Sequence, residues 1–167
     1  MSDKKLKLDE NGDGYVVAVG IALLIAAVLL VGFYVTMTPP SNATMEMYLL
    51  DSQGKAANYP TEASQNSALN VSVNVENHLG NQTIVDCEVR VKVVNGTPFS
   101  YPLNAPVKAN YENGNLGDGK KWSENVSISI DEPGSYTVAF ELWLREQKTD
   151  SSWFSGYYCV LNVKVTT

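Results

Sequence analysis

The chain has 167 residues, a net charge of -6 and a pI near 4.7, and its 12 Lys and Arg are scattered singly. No basic stripe therefore exists to track a phosphate backbone, which argues against nucleic acid as a partner. The two cysteines, Cys87 and Cys159, lie in no CxxC or Cys/His cluster and the only histidine is His78, so a zinc site of that type lacks its ligands and no cofactor motif is present.

The first 14 residues carry Lys4, Lys5 and Lys7 among Asp3, Asp9, Glu10 and Asp13. Residues 15–38 then run for 24 positions without a charge. At 1.5 Å per residue that stretch reaches about 36 Å, more than the roughly 30 Å of hydrocarbon in a bilayer, and predicts one transmembrane helix in contact with lipid. Tyr15 and the Phe33-Tyr34 pair fall about 28 Å apart on such a helix, at the two interfaces where rings prefer to lie. Three lysines precede the segment and only Lys55 appears in residues 39–58. The positive-inside rule then predicts a cytoplasmic tail over 1–14 and an extracellular bulk.

Within the tail, Asp9, Asn11, Asp13 and Gly14 match the opening of an EF-hand calcium loop, but the closing twelfth position is Gly20. The stretch reads as a polar lead-in to the helix. A cleavable signal ending near Ser41-Asn42-Ala43 would have a shorter apolar region. A leader cut after Gly14 would resemble the layout of archaeal pilins, with Val19 where that superfamily often has Glu. A retained anchor is the reading adopted, with a pilin-like or envelope-lattice subunit assembled through the helix as the alternative. Ala18, Ala22 and Ala26 form a small-residue stripe that would admit close helix pairing. Pro39 and Pro40 end the helix and open a short stalk over 39–44.

From Met45 onward the hydrophobic period becomes two. Leu69, Val71, Val73 and Val75 alternate with polar residues, as do Val85, Cys87, Val89, Val91 and Val93. The same holds for Val126, Ile128 and Ile130, for Tyr136, Val138, Phe140, Leu142 and Leu144, and for Tyr157, Cys159, Leu161, Val163 and Val165. Each run predicts a strand with one buried and one wet face. Met45 to Leu50 precedes them, and weaker extended pieces fall at 99–103 and 107–111. Turn signals stand at Leu79-Gly80-Asn81, Asn95-Gly96, Asn113-Gly114, Gly117-Asp118-Gly119 and Asp131-Glu132-Pro133-Gly134. Seven or eight antiparallel strands over 45–167 predict an all-β, immunoglobulin-like sandwich.

Tyr157 stands two before Cys159, as in the tyrosine corner of immunoglobulin domains, but only eight residues follow Cys159, so no strand comes after it. An oxidising exterior favours pairing of Cys87 with Cys159. A strand between them in one sheet would hold their Cα atoms about 9.6 Å apart, beyond a disulfide. They stand as a candidate disulfide or as two small buried hydrophobes.

Five N-x-[ST] sequons begin at Asn42, Asn70, Asn81, Asn95 and Asn125, where chance would supply roughly two. All lie beyond the apolar helix, in linker, turns or outward strand positions, so each is a candidate glycosylation site. No catalytic set can be assembled. His78 is expected in a turn with no nucleophile assignable to it, and Asp86, Glu88 and Glu141 are expected as solvated charges on wet strand faces. The segment 146–156 reads as the loop joining the last two strands. It puts Trp153 and Phe154 among small polar residues, as a candidate partner contact or a cover for the sandwich end.

The segment MYLLDSQGKAANYP at 47–60, the strands ending in Asn77 and Lys92, and the Gly134-Ser135-Tyr136 turn together resemble the archaeal membrane-protein family called domain of unknown function 1616. The resemblance covers residues 45–167 and implies an archaeal cell-surface setting without a catalytic residue. The sequence thus predicts a single-pass membrane protein, non-enzymatic. It would display a glycosylated sandwich outside the cell as an interaction module or accessory subunit of a complex with another membrane or envelope protein.

Overall fold

The computed structural model describes residues 10–37, 43–146 and 151–167, and within the helix the side chains of 19–34. Two compact units, Met1–Pro39 and Pro40–Thr167, are taken separately. The first is a single helix, α1 (Glu10–Met37), which starts inside the predicted tail. Its described side chains are apolar on every side and exposed, from Val19 at 40% to Tyr34 at 69%. Judged on those side chains, no helix is long and apolar enough to cross a membrane. The 24-residue span expected over 15–38 runs past both ends of that stretch, and the first nine residues of the tail and most of the stalk, 39–42, lie outside the described residues.

The second unit is a β-sandwich. Its strands are β1 (Thr44–Leu50), β2 (Glu62–Ser64), β3 (Ala68–His78), β4 (Val85–Asn95), β5 (Val107–Leu116), β6 (Lys121–Ser129), β7 (Gly134–Glu146) and β8 (Ser151–Thr166). They form a three-stranded sheet, β1-β3-β6, and a five-stranded sheet, β2-β8-β7-β4-β5. All pairings are antiparallel except β2 with β8, which are parallel. In immunoglobulin lettering, β1, β3 and β6 are A, B and E, and β8, β7, β4 and β5 are G, F, C and C′. The expected immunoglobulin-like topology is therefore present, with eight strands.

Period-two alternation explains why these segments pair as they do. Val73 and Val75 of β3, Val89 and Val91 of β4, and Val138, Phe140 and Leu142 of β7 are 2% exposed or less and meet between the sheets. Each such side chain contributes about 1.5–3 kcal/mol of transfer free energy, and a one-residue slip would turn the whole set toward water. The DSQGK segment is a tight loop after β1: buried Asp51 accepts hydrogen bonds from the Gln53 and Lys55 backbone N–H at 2.8 Å. Tyr59 ties the loop back by donating to the Leu49 carbonyl at 2.7 Å.

Four expectations are corrected. The piece at 99–103 is not a strand; it belongs to the loop between β4 and β5. Asn113-Gly114 is not a turn but part of β5, because Cys87 and Glu88 of β4 pair with Asn113 and Glu112 and pairing outweighs the local signal. The strand β8 already begins at Ser151, so Trp153 and Phe154 lie on it opposite Leu144 and Trp143. His78 is the last residue of β3, paired with Thr44, and not a turn residue.

Candidate functional site

The alternation that buries Val89, Val91, Phe140 and Leu142 turns Glu88, Arg90 and Lys92 of β4 and Thr137, Glu141, Trp143 and Arg145 of β7 onto the outer face of the five-stranded sheet. The centre of that face is covered and not open to water. Lys92 Nζ stands 3.0 Å from Glu141 Oε2, with the two side chains 8% and 0% exposed. The loop 96–106 crosses above them. Buried Leu103 donates its backbone N–H to Glu141 Oε1 and accepts from Lys92 Nζ at 2.6 Å. Trp143 Nε1 donates to Glu141 Oε2 at 3.2 Å. Each buried charge thus has both an opposite charge and neutral hydrogen-bond partners, the condition under which a desolvated pair persists.

Around this pair lies a rim of aromatic and charged groups. The Tyr101 ring stacks on Tyr158 at 3.8 Å, and burial, with Tyr158 and Glu141 adding, pushes the Tyr101 hydroxyl above its ordinary pKa. The Arg90 guanidinium lies 3.9 Å over the Trp143 ring, a cation–π contact, and donates to Ser152 Oγ at 2.6 Å. Arg90 also pairs with Glu88, which is 3% exposed and accepts from Asn110 Nδ2 at 3.1 Å. Arg145 stands 3.7 Å from Glu88 and 3.3 Å from Glu112. Tyr158 and Val160 of β8 project from this side at 45% and 40% exposure, and Phe99 in the loop 96–106 is 107% exposed. The expectation that Glu88 and Glu141 are solvated is overturned: the first is roofed by side chains of three strands, the second by the returning loop. Their charges are consumed by structure, and what the face offers outward is aromatic and aliphatic surface around Tyr158 and Val160.

The described sequon asparagines are all exposed: Asn70 on β3, Asn125 on β6, Asn81 in the turn after β3 and Asn95 at the end of β4. Asn42 lies outside the described residues. Asn70 pairs with Ser127 and Ser72 with Asn125, so two sequons stand side by side on the outer face of the three-stranded sheet. Cys87 and Cys159 are both free thiols. They lie on β4 and β8 with β7 between, opposite Leu144 and Phe140, so they are separated laterally and along the strands. Burial pushes the Cys87 thiol up to about 12, with Asp86 adding, and Cys159 up to about 11. Tyr157 makes no corner with its own sheet; its hydroxyl is 2.7 Å from Thr44 Oγ1 of β1. Trp153, 50% exposed, lines an open depression of about 500 Å³ with Ile84 and Leu144 at the end of the sandwich. Phe154 instead sits 5.9 Å from the Trp143 ring and so joins the aromatic face.

Besides the Lys92–Glu141 pair, two features escaped sequence reasoning. Asn77, fully buried, donates to the Thr83 and Leu116 carbonyls at 2.8 and 2.9 Å and so joins two turns; its polarity at an inward strand position was the available signal. Glu46, Glu76 and His78 gather their ligating atoms within 4.8 Å of one another, which only the β1–β3 register could reveal.

The chain resembles several solved structures at low identity. The CARDB domain of a Pyrococcus furiosus protein shares 16% identity at a TM-score of 0.49, covering 77% of this chain and 97% of that one. A β-glucosidase of Listeria innocua in complex with glucose shares 16% at 0.46, covering 77% of this chain and 17% of that one. A chain of the human complex of zinc 2-glycoprotein with prolactin inducible protein shares 13% at 0.46, covering 76% and 100%. No curated protein matches the chain. The family model of a domain of unknown function, DUF1616, matches residues 41–158. Those residues hold β1 to β7, the first half of β8 and the buried ion pair beneath the loop 96–106, and the chain belongs to the DUF1616 family.

Proposed function

We propose that this protein is a single-pass cell-surface protein, anchored through the helix at 15–38 with its N-terminus in the cytoplasm. It presents an N-glycosylated immunoglobulin-like domain as an interaction module or accessory subunit of a membrane complex. It acts by offering surface, not by catalysis. The observation that carries the reading is Phe99. This ring is wholly exposed, on a loop pinned to the sheet through Leu103 by Lys92 and Glu141. A large apolar side chain held out from a preorganised loop contributes contact area to a partner without the cost of ordering the loop on binding. The sequons at Asn70 and Asn125 support the same division, since glycans there would occupy the opposite sheet and leave the aromatic face clear. The anchor rests on the exposed, uncharged helix surface over 19–34 and on the lysines before it.

The test places a photo-crosslinking amino acid at position 99 or, as control, at position 125 of the full chain in intact cells. A crosslink from 99 to a membrane or envelope protein, without one from 125, is expected; equal capture from both positions, or none from 99, overturns the reading. Membrane retention after alkaline washing and mass spectrometry of the mature N-terminus test the anchor. A start at Tyr15 would instead favour the pilin-like subunit.

A further inference from the structure

We propose that Glu46, Glu76 and His78 form a binding site for one divalent transition-metal ion of the zinc class on the outer face of the three-stranded sheet. Nothing in the interaction reading above depends on this site, nor it on that reading. Glu46 and Glu76 face each other directly across the β1–β3 ladder. Two carboxylates so placed repel unless a cation lies between them. Glu46 makes no hydrogen bond or ion pair among the described residues; the neighbouring cationic side chains, Lys121 and His78, act on Glu76.

The third donor makes the set more than a patch of acids. His78 lies two residues along β3 from Glu76, on the same side of the strand, and its Nε2 is 3.2 Å from Glu76 Oε2. A zinc ion held at about 2.0–2.2 Å by nitrogen and oxygen keeps neighbouring ligands about 3.3–3.6 Å apart, so this pair already has the spacing of one tetrahedral edge. The three donor atoms lie within 4.8 Å of one another, so reaching that edge length requires the exposed Glu46 side chain to move by at most about 1.5 Å, with water as the fourth ligand. The other Glu76 oxygen is occupied: Tyr48 donates to Oε1 at 2.5 Å, and Lys121 donates to the Tyr48 hydroxyl at 2.8 Å. That outer layer fixes Glu76 with Oε2 turned toward His78 and suits it to single-oxygen coordination. One imidazole and two carboxylates match zinc, cobalt or nickel, whereas calcium takes six or more oxygens and no nitrogen.

The test uses the full chain in detergent at a pH where the imidazole is neutral. Because His78 is the only histidine, its two ring-carbon protons give a single assignable pair of NMR signals. Cobalt(II) should bind at one equivalent, shift those signals paramagnetically and give the visible absorption of a four-coordinate ion, and zinc should displace it. Glu46→Gln and His78→Gln should each weaken binding by at least about tenfold, and a calcium excess should not compete. The Glu46 variant separates the site from a plain His78–Glu76 ion pair, which does not need Glu46. It also removes no packed side chain, so its fold is retained. Cobalt binding unchanged by Glu46→Gln, or no shift of the His78 signals at a hundredfold excess of cobalt over protein, overturns the proposal.

Discussion

The two outer faces of the sandwich follow the same alternation and arrive at opposite ends. On the three-stranded sheet the outward residues Asn70, Ser123, Asn125 and Ser127 are exposed and Ser72 half-buried, as amphipathic strands predict; Asn74, 1% exposed, is enclosed between its strand neighbours and accepts from Ser123. On the five-stranded sheet the outward residues Lys92, Thr137 and Glu141 are 6%, 2% and 0% exposed, because the connection between β4 and β5 folds back across them. The lesson is that strand periodicity assigns a residue to a face, and a distant loop decides whether that face is solvent. A polar residue on a roofed face becomes a buried polar residue, and its energetics change accordingly.

The largest effect should come from splitting the buried pair. Lys92→Met leaves Glu141 charged and enclosed, and a loss of about 3–5 kcal/mol is expected by chemical denaturation. Replacing both, with Lys92→Met and Glu141→Leu, should recover a good part of that loss. If the single change costs no more than a surface substitution, the face is not sealed and the contrast between the sheets fails. Next in size is Leu103→Ala, which removes a side chain 5% exposed while keeping the backbone groups that hold both charges. A cost of about 2–4 kcal/mol is expected, together with faster hydrogen exchange at the Leu103 amide.

How much of this was legible in the sequence follows from what each signal encodes. The strands β3, β4 and β7 were readable because Val73, Val89 and Val138 repeat at period two over long runs. The short β2 was not, since Glu62-Ala63-Ser64 has no such repeat and exists by pairing with β8. Trp153 and Phe154 read as loop because serines surround them, although the hydrogen-bonded neighbour β7 makes them strand. The four described sequon positions were placed correctly on the surface, since each depended only on local phase or turn chemistry. The Lys92–Glu141 pair and the Glu46–Glu76–His78 group were invisible for a common reason: both need the register between strands 30 or more residues apart. The Cys87 and Cys159 separation was readable only conditionally, and β7 between them settles it.

The inner side of the five-stranded sheet provides the third test, through those thiols. Their native pKa values, about 12 and about 11, lie above the ordinary thiol value of 9.0. Below pH 9 both states keep the proton and the stability is unaffected. Above it the unfolded chain ionises first and binds fewer protons than the native one, so stability falls as pH rises toward the native values. The loss should be about 1.4 kcal/mol per thiol for each unit above 9, and replacing both cysteines by Ala should flatten that part of the pH profile. Alkylation at pH 8 should be slow in the native protein and rapid after denaturation.

The smallest effect sharpens the contrast most. Asn125→Gln abolishes a sequon on the open face while keeping an exposed amide opposite Ser72. With nothing above it, the side chain meets water before and after folding alike, so the change in stability of the unglycosylated chain should stay within about 0.5 kcal/mol. Glu141→Gln keeps the size of its side chain but exchanges charge for amide beside Lys92 and the Leu103 backbone under cover, and should cost several-fold more. Measured together by denaturation, the two variants compare an amide on the open face with a paired charge under the loop. Equal costs would mean that the pair and its cover contribute nothing; a large ratio is expected from the Lys92–Glu141 pair and the roof formed by residues 96–106 acting together.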